Sequence, residues 1–298
     1  ASAFVSYSSL LGWRAATNNS VASGAFFGVK GRLVASFVGL LLCIQYVALT
    51  IWTGGETLAS GWARLTDSKG GDRSIALGYL IIAISIVLFA LLGYRWIIKL
   101  NSWVAPLMGI LVVLSVIALW SNFDSNYAGD PELYALGTMW PTWLLAALTC
   151  GAAGPISYVT QTGDWSRYIS ESTTTEKELV RTTFIAMFFG LSVPTIFGAF
   201  VAVAAFDENS FANGFVTQSP GWLLLPLLLI GLIGSLGQGS INLYSMGLDL
   251  DAILPKLSRM KSTALVAGIS TGLVFIGKFV YDAEVAVTNS VLFLTCLA

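Results

Sequence analysis

Histidine is absent from this 298-residue chain, cysteine occurs three times, and charged residues make up only 10% of it. The first absence removes the commonest metal ligand and the side chain that ordinarily titrates near neutrality. Cys43, Cys150 and Cys296 all lie in apolar runs without disulfide or metal-ligand spacing, and they read as small buried hydrophobes. A soluble domain carries about 25% charged residues, so the scarcity of charge excludes an ordinary water-soluble fold. The sequence also lacks a nucleophile–base pair, a phosphate loop and paired intramembrane carboxylates. An enzyme reading therefore has no residues to rest on, no cofactor is called for, and nucleic acid is not expected as a partner.

What is present is apolar length. Hydrophobic residues are 56% of the chain, and charge-free runs recur at 33–52, 74–94, 100–123, 133–163, 182–206 and 209–248. Each reaches the ~20 residues that a spanning helix needs. Shorter runs follow at 262–277 and 285–298. The fold class is an all-α polytopic membrane protein whose partner is the lipid bilayer. The chain opens at Ala1 and closes at VLFLTCLA, both inside apolar runs, so both ends are expected to be cut.

The sparse charges are unevenly placed. Arg14, Lys30, Arg32, Arg95, Lys99, Arg167, Lys177, Arg181, Lys256, Arg259 and Lys261 fall in alternate connections. The other connections hold Arg64, Lys69 and Arg73, with Lys278 near a helix end, and collect acids such as Asp67, Asp72, Asp130 and Glu132. Under the positive-inside bias the first set is cytoplasmic. A remnant at 1–13 then descends, a Gly-rich link follows to residue 32, and spans are expected near 33–56, 74–95, 101–121, 140–162, 181–206, 221–247 and 262–281. Another begins near 283.

Polar residues inside these runs are the candidates for chemistry. GAAGPISY, residues 151–158, interrupts an apolar run with two glycines, a proline and a serine. It is either a proline kink or a discontinuous helix, which exposes backbone polar groups and is tolerated at membrane depth only against protein or a wet cavity. Gln238 and Asn242 are four apart and share a helix face. Their amides suit the mixed edge of a planar heterocycle, or they simply bond two helices together. Gln45 and Tyr46 offer an amide beside an aromatic face in the first full span. Trp13, Trp62, Trp96, Trp103, Trp120, Trp140 and Trp222 fall near span ends and read as an interfacial belt. DWSRYI and GLDLDAILPKLSR follow descending spans; there Asp164 and Arg167 can pair on one turn, and Asp249 can cap the segment that Pro255 ends. These three are expected in gating or structural roles.

FFGVKGR, GYRWIIKLNSW, GPISY with GDWSRYI, and LYSMGLDLDAILPKLSR occur in that order along the chain. Taken together they resemble the nucleobase–cation symporter family of cytosine, purine, allantoin and hydantoin permeases. The resemblance implies twelve helices, ten of them in the five-plus-five inverted repeat of leucine-transporter-like folds. This chain would be a single transporter domain over 1–298, running from the end of the second family helix into the tenth, with the broken first helix missing. By position, the stacking aromatic of the third helix falls on Tyr46, where the family usually has Trp, and the neighbouring amide on Gln45. The broken sixth helix contributes Gly154 and Pro155 with Ser157 close by. A second stacking aromatic would fall on Pro155, so half of that sandwich is absent. The amides of the eighth helix map to Gln238 and Asn242. The hydroxyl pair of sodium-coupled members falls on Leu236 and Gly237, neither of which can coordinate a metal cation. The coupling ion is left between H+ and Na+, with a titrating group on the first helix or at a helix end such as Glu56.

The expected function is therefore a symporter of the plasma or inner membrane, acting as a monomer, that imports a nucleobase-like heterocycle by alternating access. An amino-acid permease of the same fold would want a charged midplane site, and no midplane charge is visible. A non-transporting sensor or scaffold is the rival of another class.

Overall fold

The computed structural model describes residues 1–68, 70–127, 129, 131–134, 136–205, 211–254 and 256–281. Its helices are α1 (Ser2–Ala15), α2 (Asn19–Ala22), α3 (Gly24–Leu65), α4 (Asp72–Leu92), α5 (Tyr94–Leu119), α6 (Met139–Ala153), α7 (Thr162–Ser166), α8 (Glu176–Ala204), α9 (Phe211–Gln218), α10 (Leu224–Ile253) and α11 (Arg259–Ile276). A 3-10 turn, Ile156–Thr160, separates α6 from α7, and a π-helical turn, Gly277–Tyr281, closes α11. No strand occurs among the described residues. Seven of these stretches are long and apolar enough to cross a membrane. Their outer faces are apolar as well: Leu80, Ile81, Ile84 and Leu88 on α4, and Ile110, Val113 and Ile117 on α5, are exposed. That pattern suits a helix whose solvent is hydrocarbon.

Several expected boundaries move. The supposed link before the first span is coiled. Asn18 accepts the Val21 N–H at 2.9 Å to start α2, and α3 follows from Gly24. Gly28 breaks that helix with φ 70° and ψ 175°, a conformation open at little cost only to glycine, which has no Cβ. At its far end α3 runs on to Leu65, so Glu56 lies inside the helix and not at its terminus. The helix expected over 140–162 ends at Ala153. At the start of α8, Thr175 and Glu178 form a reciprocal capping box: the Thr175 N–H donates to Glu178 Oε2 and the Glu178 N–H to Thr175 Oγ1. Asp249 is not a cap, because α10 continues past it through Ile253. Pro255 and the span near 283, with Asp282 and Glu284, lie outside the described residues, as does Cys296. Cys43 is buried as expected, whereas Cys150 is exposed.

The described chain divides into two compact units, one of residues 1–42 and 124–196 and the other of 43–123 and 197–281. In the first, α1 lies against α7. Gly12 and Gly163 meet backbone to backbone, and Ser8 Oγ lies 2.6 Å from Thr162 Oγ1. Ser166 Oγ donates to the Ser9 carbonyl at 2.6 Å, and Arg14 forks onto the Glu176 carboxylate at 2.7 and 2.8 Å. Trp13 is buried here, 8% exposed against 74% for Trp103, so it is not part of an interfacial belt. Trp62, Trp96, Trp120, Trp140 and Trp222 are exposed in keeping with one.

In the second unit α10 is central. It meets α5 through Gly234 against Met108 and Gly237 against Asn101, and Tyr94 stacks on Tyr244 with centroids 5.4 Å apart. It meets α4 through Gly239 against Ile86, and α3 through Ser235 against Gly54. Leu119, Val201, Phe215, Leu223 and Leu227 form a separate apolar cluster beside the stacked rings of Trp120, Phe123 and Phe200.

Candidate substrate site

The expected site residues divide between the units, and each set is built locally. In the second unit, Gly61 faces Leu228, Gly231 faces Thr57 and Gly54 faces Ser235. One number rises as the other falls, so α3 and α10 run antiparallel in step. Tyr46 precedes Gly54 on α3 by about two turns, with Gln45 beside it, and Asn242 follows Ser235 on α10 by about two turns. Gln45 and Tyr46 are half-buried, and the Thr50 hydroxyl donates to the Tyr46 carbonyl at 2.7 Å. Gln238, half-buried, precedes Asn242 by one turn, and the stripe continues through Ser245 to Asp249, which is buried.

Asn242 is the anomaly of this stripe. It is 0% exposed, and neither its Oδ1 nor its Nδ2 has a hydrogen-bond partner among the described residues. The Ser245 hydroxyl, also 0% exposed, is in the same position. A buried amide without partners costs about 1–3 kcal/mol, a cost that a ligand with a matching edge removes. Leu236 is buried, and a Cβ at Gly237 would lie 2.8 Å from Asn101 Oδ1. Close packing of α10 on α5 therefore occupies the place where a hydroxyl side chain would stand.

In the first unit the α6 ladder stops at Gly154, whose ψ of −102° is not helical and whose N–H donates to the Cys150 carbonyl at 2.9 Å. Pro155 has no N–H to continue the ladder and is buried. The carbonyls of Ala153 and Gly154 lie 2.9 and 2.7 Å from Ser157 Oγ, so one hydroxyl serves both ends of the break. The 3-10 turn then leads into α7, where the Asp164 carboxylate, 1% exposed, accepts the Asn19 N–H at 2.9 Å. Asn19 Nδ2 in turn donates to the Val159 carbonyl at 2.8 Å. Asp164 thus fastens the start of α2 to the broken region. Arg167 stacks on Tyr168 at 4.7 Å and donates to its hydroxyl at 2.8 Å.

Sequence reasoning misses two features: the Gly12–Gly163 approach, and a buried cluster around Glu56 in the second unit. In that cluster Lys278 Nζ lies 2.8 Å from Glu56 Oε1. The signal available in the sequence was a carboxylate inside an apolar span. Among the described residues no group of three or more His, Cys, Asp or Glu side chains could hold a metal ion.

A family model described as a permease for cytosine/purines, uracil, thiamine and allantoin matches residues 1–298. Two solved structures of Mhp1 resemble the fold. One, an inward-facing conformation, has a TM-score of 0.69 at 16% identity and covers 99% of this chain and 63% of that one. The other is described as a nucleobase-cation-symport-1 family transporter in a closed conformation with bromovinylhydantoin bound. Its TM-score is 0.70 at 17% identity, with 99% of this chain and 64% of that one covered. The chain thus spans slightly less than two thirds of Mhp1, whose helices follow the leucine-transporter-like plan. No curated protein matches the chain.

Proposed function

Because the chain belongs to the family of permeases for cytosine/purines, uracil, thiamine and allantoin, we propose that it is a secondary-active symporter importing a nucleobase or related small N-heterocycle by alternating access. The observation that carries this reading is Asn242, a fully buried amide neither of whose side-chain atoms has a hydrogen-bond partner among the described residues. A flat heterocycle offers donors and acceptors on one edge for that amide, and a face on which Tyr46 stacks. The bromovinylhydantoin recorded with Mhp1 is a ring of this kind. Gln45 and Gln238 share the edge. The protein acts as a single transporter domain, a monomer in the plasma or inner membrane. Leu236 and Gly237 stand where sodium-coupled members place hydroxyls, which favours H+ as the coupling ion.

Counterflow in proteoliposomes tests the reading directly. Vesicles loaded with unlabelled cytosine, hypoxanthine, allantoin or hydantoin should take up the labelled form of at least one of them, and no amino acid. Exchange of amino acids alone would make the protein an amino-acid permease. Absence of all exchange would leave a sensor or scaffold.

Two further outcomes follow from the arrangement. Stacking contributes about 0.5–1.5 kcal/mol beyond area burial, so Tyr46→Phe and Tyr46→Trp should transport while Tyr46→Ala loses roughly tenfold in affinity, for all accepted bases alike. Damage by Tyr46→Phe equal to that by alanine would refute stacking. For orientation, Ser68→Cys in a Cys150→Ser background should react with an impermeant maleimide in intact cells, and Ser172→Cys only after permeabilisation. The reverse pattern would invert the topology.

A further inference from the structure

Glu56 sits inside α3, nine residues before its end at Leu65, and is 6% exposed. Three donors converge on one of its oxygens. Lys278 Nζ lies 2.8 Å from Oε1, Trp52 Nε1 3.1 Å and the Tyr79 hydroxyl 3.5 Å. Lys278 also lies 5.5 Å from the centre of the Trp52 ring. It is presented by the π-helical turn Gly277–Tyr281, an irregularity that recurs at functional sites. Tyr79 is held over the pair by close approach of Gly55 to Gly78, and by edge contacts to Phe275 and Phe279 at 5.9 and 6.4 Å. The cluster lies wholly within the second unit.

Stability does not account for such a pair, since apolar residues of similar volume in its place are often neutral or stabilising. Intramembrane charges instead mark ion pathways and proton relays. Depth agrees with an approach from the outer side, in the proposed orientation. Glu56 is nine residues from the outer end of α3, and Tyr79 seven from the outer end of α4 at Asp72, which is about 10–14 Å at 1.5 Å per residue.

We propose that Glu56 and Lys278 form the proton-carrying element of the transporter. The proposal rests on the symporter reading and names the group that couples it. A proton from the outer aqueous phase adds to the Glu56 carboxylate, giving the neutral acid and ending the ion pair. The Lys278 ammonium keeps its own proton and is held by the face of Trp52. Loss of the proton from Glu56 to the cytoplasmic side restores the pair. Two arrangements of one cluster thus differ by one proton, and the cation has a resting place in each.

Among the described residues, Trp52 from α3, Tyr79 from α4 and Lys278 from the π-helical turn face Glu56. Where α10 meets this stretch of α3 it presents Ser235, Gly231 and Leu228, none of them charged. Arg64 on α3 donates to the Val216 carbonyl, and Asp72 and Arg73 are exposed at the start of α4. Asp249 and Asp251 lie at the far end of α10, and Arg259 and Lys261 at the far end of α11.

The test is uptake by reconstituted protein at equal Na+ on both sides, with a pH-sensitive dye in the lumen. Wild type should acidify the lumen as substrate enters, and should accumulate substrate at least tenfold under an imposed inside-alkaline gradient. The double variant Glu56→Gln/Lys278→Met removes both members of the ion pair together; it should keep counterflow but accumulate nothing. Glu56→Asp, should the double variant be lost from the membrane, should accumulate substrate with a shifted pH profile. Wild type that moves no proton, a double variant that still accumulates, or a Glu56→Asp profile identical to wild type overturns the proposal. Absence of counterflow in wild type would overturn the symporter reading, and this inference with it.

Discussion

Gly12→Ala is expected to leave almost no folded protein in the membrane. A Cβ at that position would fall well inside contact distance of the Cα, carbonyl carbon and oxygen of Gly163. A side chain can swing away from an intruding methyl, but backbone cannot move without carrying its helix along. Here both helices are pinned by Ser8–Thr162, Ser166–Ser9 and Asn19–Asp164. Overpacking of a well-filled site costs about 1–3 kcal/mol, sometimes more, and this site has nowhere to relax. Gly163→Ala should be milder, because its Cβ would strike Asn19 Oδ1, the end of a side chain, and meets the Gly12 backbone N only at 3.1 Å. Gly190→Ala on α8 is the control, since nothing lies within 4 Å of its Cβ. A helix-interior alanine there should stabilise by about 0.5–1 kcal/mol. Detergent-extracted yield, monodispersity on size exclusion and melting temperature report all three. A Gly12→Ala protein that extracts and melts like wild type would mean that α1 does not pack on α7 in this way.

Asn242→Leu is expected to separate stability from function. Leucine has as many side-chain heavy atoms as asparagine and removes two buried polar atoms that have no partner among the described residues. The substrate-free protein should therefore melt at or above the wild-type temperature. Binding should collapse by about 5- to 150-fold, the equivalent of 1–3 kcal/mol for an edge that loses its counterpart. Wild type should melt higher when a saturating base is added, because a ligand that binds only the folded state stabilises it; the variant should not respond. Normal uptake with a lower melting temperature would make Asn242 a bond between helices and nothing more.

Part of this is legible in the sequence for physical reasons. Glycine and proline side by side at 154–155 cannot continue a helical ladder whatever surrounds them, so the break at GAAGPISY can be read locally. The spacing of Gln238 and Asn242 places them on one face without reference to the rest of the chain. The remainder depends on partners. Gly12 and Gly190 look alike in sequence, yet one faces backbone and the other open space. Glu56 and Lys278 are 222 positions apart, so the sequence offers Glu56 as a titrating group at a helix end without showing its pairing with Lys278. Trp13 has the amphipathic ring and terminal position of a belt residue, but it is buried within its unit. The end of α3 is misjudged because hydropathy falls after Glu56 while helix propensity does not: TLASGWARL is too polar for the bilayer centre and still coils.

The glycines of α10 have a mechanical consequence. Gly231, Gly234, Gly237 and Gly239 let Thr57 of α3, Met108 and Asn101 of α5 and Ile86 of α4 seat directly on the backbone of α10. Side chains are the deformable part of a helix contact, able to change rotamer while backbones stay still. With α10 contributing no side chain at these four points, only its neighbours' rotamers can adjust, and α10 has little room to slide or rotate past them in small increments. Its backbone amides should therefore exchange with deuterium in step with those of α3, α4 and α5 as one cooperative block.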